Sequence, residues 1–182
     1  MLGEIAAEAA RRFGDRLVWD GWDGTLTYAE LDARATEVAA ELDARGVDEG
    51  DVVVLRMPTS LDYVVAYVAL ARLGAICAGI NPKLAEAEQL ALVERVRPRL
   101  VIDHPTVTPL RFSSAETPDV GSARAAERGR GGDDRALAIV FTSGTTGVPK
   151  GAVFRVRQLR AVVDIDLGPD PAWGGGGPML VS

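Results

Sequence analysis

The sequence predicts an α/β fold, a layered parallel sheet with flanking helices. Three observations carry this expectation. Short apolar runs at 51–57, 75–80 and 99–103 alternate with helical stretches, the pattern of parallel strands buried on both faces and joined by helical crossovers. Aromatic residues make up 5% of the chain while small aliphatic residues supply most of its 47% apolar content, which suits helix-on-sheet layers better than an aromatic-rich sandwich. A further apolar run, "ALAIVF" (136–141), leads directly into "TSGTTGVPKG" (142–151), placing that loop at the carboxyl end of a strand, where ligands gather in such sheets.

The elements follow in order. Leu2 to Phe13 puts Leu2, Ile5, Ala6, Ala9 and Ala10 on one face and predicts an amphipathic helix. "RLVWD" (16–20) and "TLTY" (25–28) predict short strands, and "GWDG" between them is turn chemistry, so the two form a hairpin. Tyr28 to Arg45 predicts a helix whose stripe is Leu31, Ala35, Val38, Ala39 and Leu42, stopped by Gly46. "DVVVLRM" (51–57) predicts a buried strand. Ser60 caps a helix, "LDYVVAYVALARLG", that is apolar almost all round and ends at Gly74. "AICAGI" (75–80) is the next strand, and "NP" (81–82) breaks it. Ala85 to Val96 predicts a helix with Leu84, Ala87, Leu90, Ala91 and Val93 inward, before the strand "RLVID" (99–103).

Residues 104–135, rich in Pro, Gly, Ser and charge, are expected to be a linker or partly disordered connection with a short strand at Leu110–Phe112. "ALAIVF" resumes the sheet, "GAVF" (151–154) predicts a further strand, and Val156 to Val163 a helix. The expected organisation is therefore an N-terminal α/β subdomain over 1–103, a connection over 104–135, a loop with flanking strands and helix over 136–168, and a glycine-rich tail over 169–182. No internal repeat is present.

Composition excludes several classes of function. The chain has 182 residues and a formal net charge of −6, with no basic stripe to neutralise phosphates, which argues against nucleic acid. A single cysteine, Cys77, precludes an intramolecular disulfide, and its place in "GAICAGI" predicts a small buried thiol. A catalytic thiol would want a histidine, and the one histidine, His104, lies in a separate "HPTVTP" loop. "MLGEIAAEAARRF" has acids inside it and no continuous apolar segment, so no secretory signal is expected. No run approaches the ~20 apolar residues of a membrane span. The expected location is the cytoplasm, with Cys77 reduced.

The hydroxyl–glycine loop has its own chemistry. A phosphate offers more lone pairs than side chains alone satisfy, and successive backbone N–H groups in a tight loop form a nest around it. Gly144 and Gly147 allow positive φ and close approach of the backbone. Thr142, Ser143, Thr145 and Thr146 supply rotatable hydroxyl donors, and Lys150 supplies a compact positive charge just after Pro149. A Walker A loop would need Gly-Lys-Ser/Thr, but Pro149 precedes Lys150 and Gly151 follows it, and "GAVF" reads as extended rather than helical. The dinucleotide fingerprint G-x-G-x-x-G is absent. A plain Ser/Thr/Gly turn would explain the glycines but not a run in which almost every position suits phosphate.

With those residues in view, "ALAIVFTSGTTGVPKGAVF" (136–154) resembles the phosphate-binding signature of the acyl-adenylating, or AMP-binding, superfamily of acyl-CoA synthetases, nonribosomal-peptide adenylation domains and luciferases. The stretch from "LTYAEL" (26–31) through "AGINP" (78–82), and "LGAICAGINPKLAEAEQLALVERVRPRLVI" (73–102), are similar to the N-terminal region of that family. The resemblance covers roughly 1–103 and 136–160. It implies the N-terminal part of an adenylate-forming fold, incomplete, whose family activates a carboxylic acid with ATP and Mg²⁺ as an acyl-adenylate and passes it to a thiol such as CoA. Thr142, Ser143, Gly144, Thr145, Thr146, Gly147 and Lys150 would hold the β- and γ-phosphates by resemblance. The form of the signature leans toward an acyl-CoA synthetase or fatty-acid–CoA ligase.

Two departures bear on activity. The family often carries a histidine shortly after the loop, where this sequence has Val156. The later motifs, the acid pocket and the C-terminal catalytic lysine of the family have no counterpart in these 182 residues. No catalytic residue is therefore assigned, and the chain by itself is expected to be catalytically incompetent. The alternative is a non-catalytic remnant or split subunit that binds a nucleotide or a partner chain. A sheet without its later strands is expected to expose "VVVLRM" and "ALAIVF", inviting a chain that completes it.

Overall fold

The structure, a computed structural model, describes residues 2–103, 111–113, 132–142 and 150–167. Most of the expected 104–135 connection, including His104, lies outside the described residues, as do 143–149 and the tail expected at 169–182.

The chain opens with α1 (Leu2–Phe13), then β1 (Leu17–Gly21) and β2 (Gly24–Thr27), which pair antiparallel as the hairpin the sequence predicts. Gly24 leaves the turn at φ +126, a conformation open to glycine but strained for other residues. Thr27 and Glu30 form a reciprocal capping box that starts α2 (Tyr28–Ala44). Next come β3 (Val52–Arg56), α3 (Leu61–Leu73), β4 (Ile76–Gly79), α4 (Glu86–Val96) and β5 (Leu100–Asp103). A short β6 (Arg111–Ser113) and a single 3₁₀ turn (Gly132–Asp134) precede β7 (Ala136–Thr142), β8 (Lys150–Arg155) and α5 (Val156–Leu167). The last helix runs four residues beyond the predicted Val163.

Six strands form one sheet in the order β6-β5-β3-β4-β7-β8. Its centre is parallel: β3 pairs with β4 and β5, and β4 with β7. Both outer strands run antiparallel, β6 on β5 and β8 on β7. The α/β layering read from the sequence is thus observed, with antiparallel strands at each side of a parallel core.

The pleat divides the strand residues between two cores. Val53, Leu55, Cys77, Leu100 and Ile102 face α2 and α3. Val54, Ala78 and Val101 face α4. Val53, Val54, Leu55 and Ile102 are each 0% exposed, so a full side chain buried here contributes about 1.5–3 kcal/mol. α3 touches the sheet on one side and α1 and α2 on the other, which is why its sequence is apolar almost all round. Ser60 accepts from the Tyr63 N–H at its start, and Gly74 in the left-handed conformation ends it. Arg72 adds a polar tie, reaching Asp32 and Thr36 of α2 from α3.

Two expectations are corrected. The inward face of α4 is not the stripe containing Ala87, Leu90 and Ala91, which are exposed. Leu92 is the buried residue, at 3% against 50% for Leu90, and Val93 and Val96 pack beside it on Val54, Ala78 and Val101. The helix carries too many apolar residues for spacing alone to select a face, and the sheet chose the stripe that continues to Val96. Second, "VVVLRM" is not exposed: β3 has neighbours on both sides and helices over both faces. The half-exposed apolar residues of the sheet lie at β7 and β8 instead, at Val140, Val153 and Phe154.

Truncation distinguishes the two faces of α4. Leu92→Ala is expected to lower stability in urea by about 2–5 kcal/mol, and Leu90→Ala by no more than about 0.5 kcal/mol. Equal losses would mean that the packed face has been misassigned.

Candidate functional site

Because β3, β4, β5 and β7 run parallel, their carboxyl ends lie along one edge of the sheet: Arg56, Gly79, Asp103 and Thr142. β7 reaches furthest from its neighbour. Only Ala138 and Ile139 pair with β4, at Cys77 and Ala78. Val140, Phe141 and Thr142 continue with β8 as partner, opposite Ala152, Gly151 and Lys150. β7 is accordingly buried over Ala136–Ala138 and opens to solvent toward Thr142.

This two-stranded ribbon delivers the candidate loop. Thr142 and Lys150, two of the predicted phosphate-binding residues, are directly opposed across the strands and both exposed. The Thr142 hydroxyl lies 3.4 Å from the Lys150 carbonyl oxygen, a long contact that holds it weakly. Ser143, Gly144, Thr145, Thr146 and Gly147, the other five, lie outside the described residues. The strand starts at Lys150 itself, one residue before the predicted "GAVF". Gly151 lets the strands fit closely: a Cβ there would stand 3.1 Å from Ile139 and 3.4 Å from the Phe141 ring, so those side chains would have to shift.

The charged groups of this edge differ in availability. Arg56 donates to Asp103 at 2.6 Å across β3 and β5, and that bond raises the guanidinium pKa further. Its charge is therefore largely spent on a neighbouring carboxylate. Its signal in the sequence is one charged residue near the end of each of two apolar runs, which spacing alone does not pair. Lys150 is solvent-exposed, as a residue meeting a polyanion requires. Among the described residues, no group of three or more His, Cys, Asp or Glu side chains is placed to hold a metal ion.

Cys77 is a core group. It is 2% exposed, and burial pushes its thiol from 9.0 up to about 12, although a hydrogen bond with Tyr63 offsets part of this. Burial likewise raises Tyr67 to about 12. Val156, where the family resemblance would place a histidine, is 2% exposed and packs against Ala71 and Leu137. It anchors the first turn of α5 rather than facing a ligand.

The described edge thus places Thr142 and Lys150, the two ends of the hydroxyl–glycine–lysine segment, at the carboxyl side of an α/β sheet. The family is now defined: the AMP-binding enzyme profile matches residues 6–175, and the chain belongs to that family. It is 35% identical over 151 residues to the long-chain-fatty-acid–CoA ligase FadD13 of Mycobacterium tuberculosis, a match covering 72% of this chain and 30% of that protein. It is 36% identical over 180 residues to the salicyl-AMP ligase/salicyl-S-ArCP synthetase of the same species, covering 82% of this chain and 32% of that protein. Among solved structures it matches the inhibitor-bound N-terminal domain of FACL13 from Mycobacterium tuberculosis, with a TM-score of 0.67 and 27% identity, over 87% of this chain and 45% of that one. The chain thus spans 30–32% of the length of these two curated relatives. No helix among the described residues is long and apolar enough to cross a membrane.

The buried acids set an alkaline limit on stability. Cys77 and Tyr67 have folded pKa values raised above their ordinary 9.0 and 10.0. Their contribution to stability is complete below about pH 9 and is lost as pH rises toward about 12. Urea midpoints are expected to fall as pH climbs through this window, and to fall less in Cys77→Ala. A midpoint that does not move in the parent chain would contradict the burial of these groups.

Proposed function

We propose that this chain is the nucleotide-phosphate-binding part of an enzyme that activates a carboxylic acid with ATP as an acyl-adenylate and transfers it to a thiol such as CoA. The observation that carries the reading is the Thr142–Lys150 pair closing the signature loop at the carboxyl edge of a parallel sheet, in a chain of the AMP-binding enzyme family. A fatty acid is the proposed substrate class, by likeness to the long-chain-fatty-acid–CoA ligase. The proposed organisation keeps the subdomain over 1–103, the connection over 104–135, the loop unit over 136–168 and the tail over 169–182. The proposed setting is the cytoplasm, where Cys77 stays reduced.

In this reaction a carboxylate oxygen attacks the α-phosphorus, the bond from that phosphorus to the β-bridging oxygen breaks, and pyrophosphate departs with the added negative charge. A thiol sulfur then attacks the acyl carbon and AMP leaves. The part assigned to this chain is electrostatic. Lys150, the hydroxyls of Thr142, Ser143, Thr145 and Thr146, and the backbone N–H groups of Gly144 and Gly147 would receive the β- and γ-phosphates. Donors set in place before the reaction stabilise developing charge without reorganising. Ammonium, hydroxyl and N–H groups suit phosphate oxygens rather than a cation, so Mg²⁺ would arrive bound to ATP and neutralise phosphate charge there.

The second reading is a non-catalytic module that binds a nucleotide or a chain completing the sheet. It is favoured by the outer strand β8, where Val153 is 43% and Phe154 42% exposed. Pyrophosphate exchange into ATP separates the two readings when measured over a panel of acids, with the chain extended to the length of its relatives. Exchange supports the ligase; nucleotide binding without exchange supports the module.

Lys150→Ala is expected to weaken Mg-ATP binding by about 10–100-fold, the worth of a charge-assisted hydrogen bond. The unfolding midpoint should hold, since Lys150 is exposed. Equal calorimetric affinities for the two chains would remove the loop from the mechanism.

A further inference from the structure

The β7–β8 ribbon carries Lys150, yet apolar burial within β8 does little to fix its register, the buried anchor Val156 lying just past the strand. Shifting an antiparallel strand by one residue turns every side chain to the opposite face, and the shift is resisted where one face is buried and the other solvated. β8 lacks that contrast. Val153 and Phe154 point to opposite faces and are 43% and 42% exposed. Among the described residues the strand is also outermost in the sheet, with β7 as its strand neighbour. A one-residue slip would cost little apolar burial within β8, would pull on the buried Val156 just past it, and would turn Lys150 away from the face it shares with Thr142.

The base of the ribbon holds groups that could fix the register. Asp133 and Asp134, in the 3₁₀ turn before β7, meet three arginines that follow or end β8. Arg160 Nη1 lies 2.6 Å from Asp133 Oδ2, Arg157 Nη1 lies 3.1 Å from Asp134 Oδ1, and Arg155 Nη1 donates to the Asp134 carbonyl at 2.6 Å. The Val156 N–H donates to the Arg135 carbonyl at 3.0 Å beside them. The side chains of both ion pairs are about half exposed, so each adds little to global stability. Their effect is positional, since they tie the start of β7 to the end of β8 at the ribbon base.

We propose that Asp133 and Asp134 with Arg155, Arg157 and Arg160 form a charge clasp that fixes the register of β8 on β7 and thereby positions Lys150. These are positioning residues. The consequence for ATP rests on the phosphate-binding reading of the loop, whereas the register claim does not.

The test uses the full chain carrying Val140→Cys and Ala152→Cys, a directly opposed pair. Opposed antiparallel Cα atoms, ~4.5–5.5 Å apart, lie within disulfide range, and a one-residue slip turns one thiol to the far face. Cys77 is buried and stays silent. Adding Asp133→Lys and Asp134→Lys is expected to slow cross-linking under mild oxidation by about tenfold, through two exposed pairs lost and two repulsions gained. Adding Arg157→Glu and Arg160→Glu to that variant should restore the rate. Salt at about 1 M should slow the parent several-fold, with no change to the clasp residues. Mg-ATP affinity, measured with Val140 and Ala152 intact, should fall about tenfold in the reversed variant and recover in the swapped one. Cross-linking that ignores both charge reversal and salt overturns the clasp. Cross-linking that follows the charges while no chain binds ATP supports the clasp and overturns the phosphate reading.

Discussion

A parallel strand is stable only when both of its faces are covered, and the architecture of this chain follows from meeting that requirement at its centre and relaxing it at one side. β3 has a strand on each side, α2 and α3 on one face and α4 on the other, and its middle residues are fully excluded from water. Coverage thins along β7. Its first three residues are buried, while Val140 and Thr142 beyond them are exposed. The sheet thereby changes from a packed core into a two-stranded ribbon at the point where the signature loop begins.

That gradient separates the chemistry of the two regions. Inside, burial raises the pKa of the Cys77 thiol and of the Tyr63 and Tyr67 phenols, groups that are neutral near neutral pH and are kept so further into the alkaline range. At the carboxyl edge, charge persists. Arg56 is engaged with Asp103, and Lys150 stands in solvent at the ribbon. The buried half of β7 is what ties this ribbon to the core. The same gradient weakens the hold on β8, which is why the charges at the ribbon base acquire a positional role there.

The polar ties of the N-terminal region have another purpose. Asp23, in the hairpin turn, accepts from the Leu61 N–H at 2.6 Å and from the Trp19 indole at 2.9 Å. Together with Ser60 it satisfies donors at the start of α3, the helix that enters the core directly from the carboxyl end of β3. A short hairpin outside the main sheet thus helps to fix the helix that fills the larger apolar layer.

Local rules were enough for much of this. Capping at Ser60, the stop at Gly74, the turn at residues 21–24 and the buried strands at 52–56 and 100–103 follow from nearest-neighbour chemistry and from residues that tolerate one conformation. Family membership was legible because the signature is a run of small residues, hydroxyls and a lysine in sequence order. Tertiary structure decided what depends on partners distant in the chain. α4 offers more than one apolar stripe, and only contact with Val54 and Val101 selects Leu92 over Leu90. Arg56 and Asp103 stand 47 residues apart in sequence and meet only because β3 and β5 are neighbours in register. Asp133 and Arg160 likewise meet because β7 and β8 fold back on each other. Sequence specifies which residues can bury, turn or carry charge; the register of the sheet determines which of them come together.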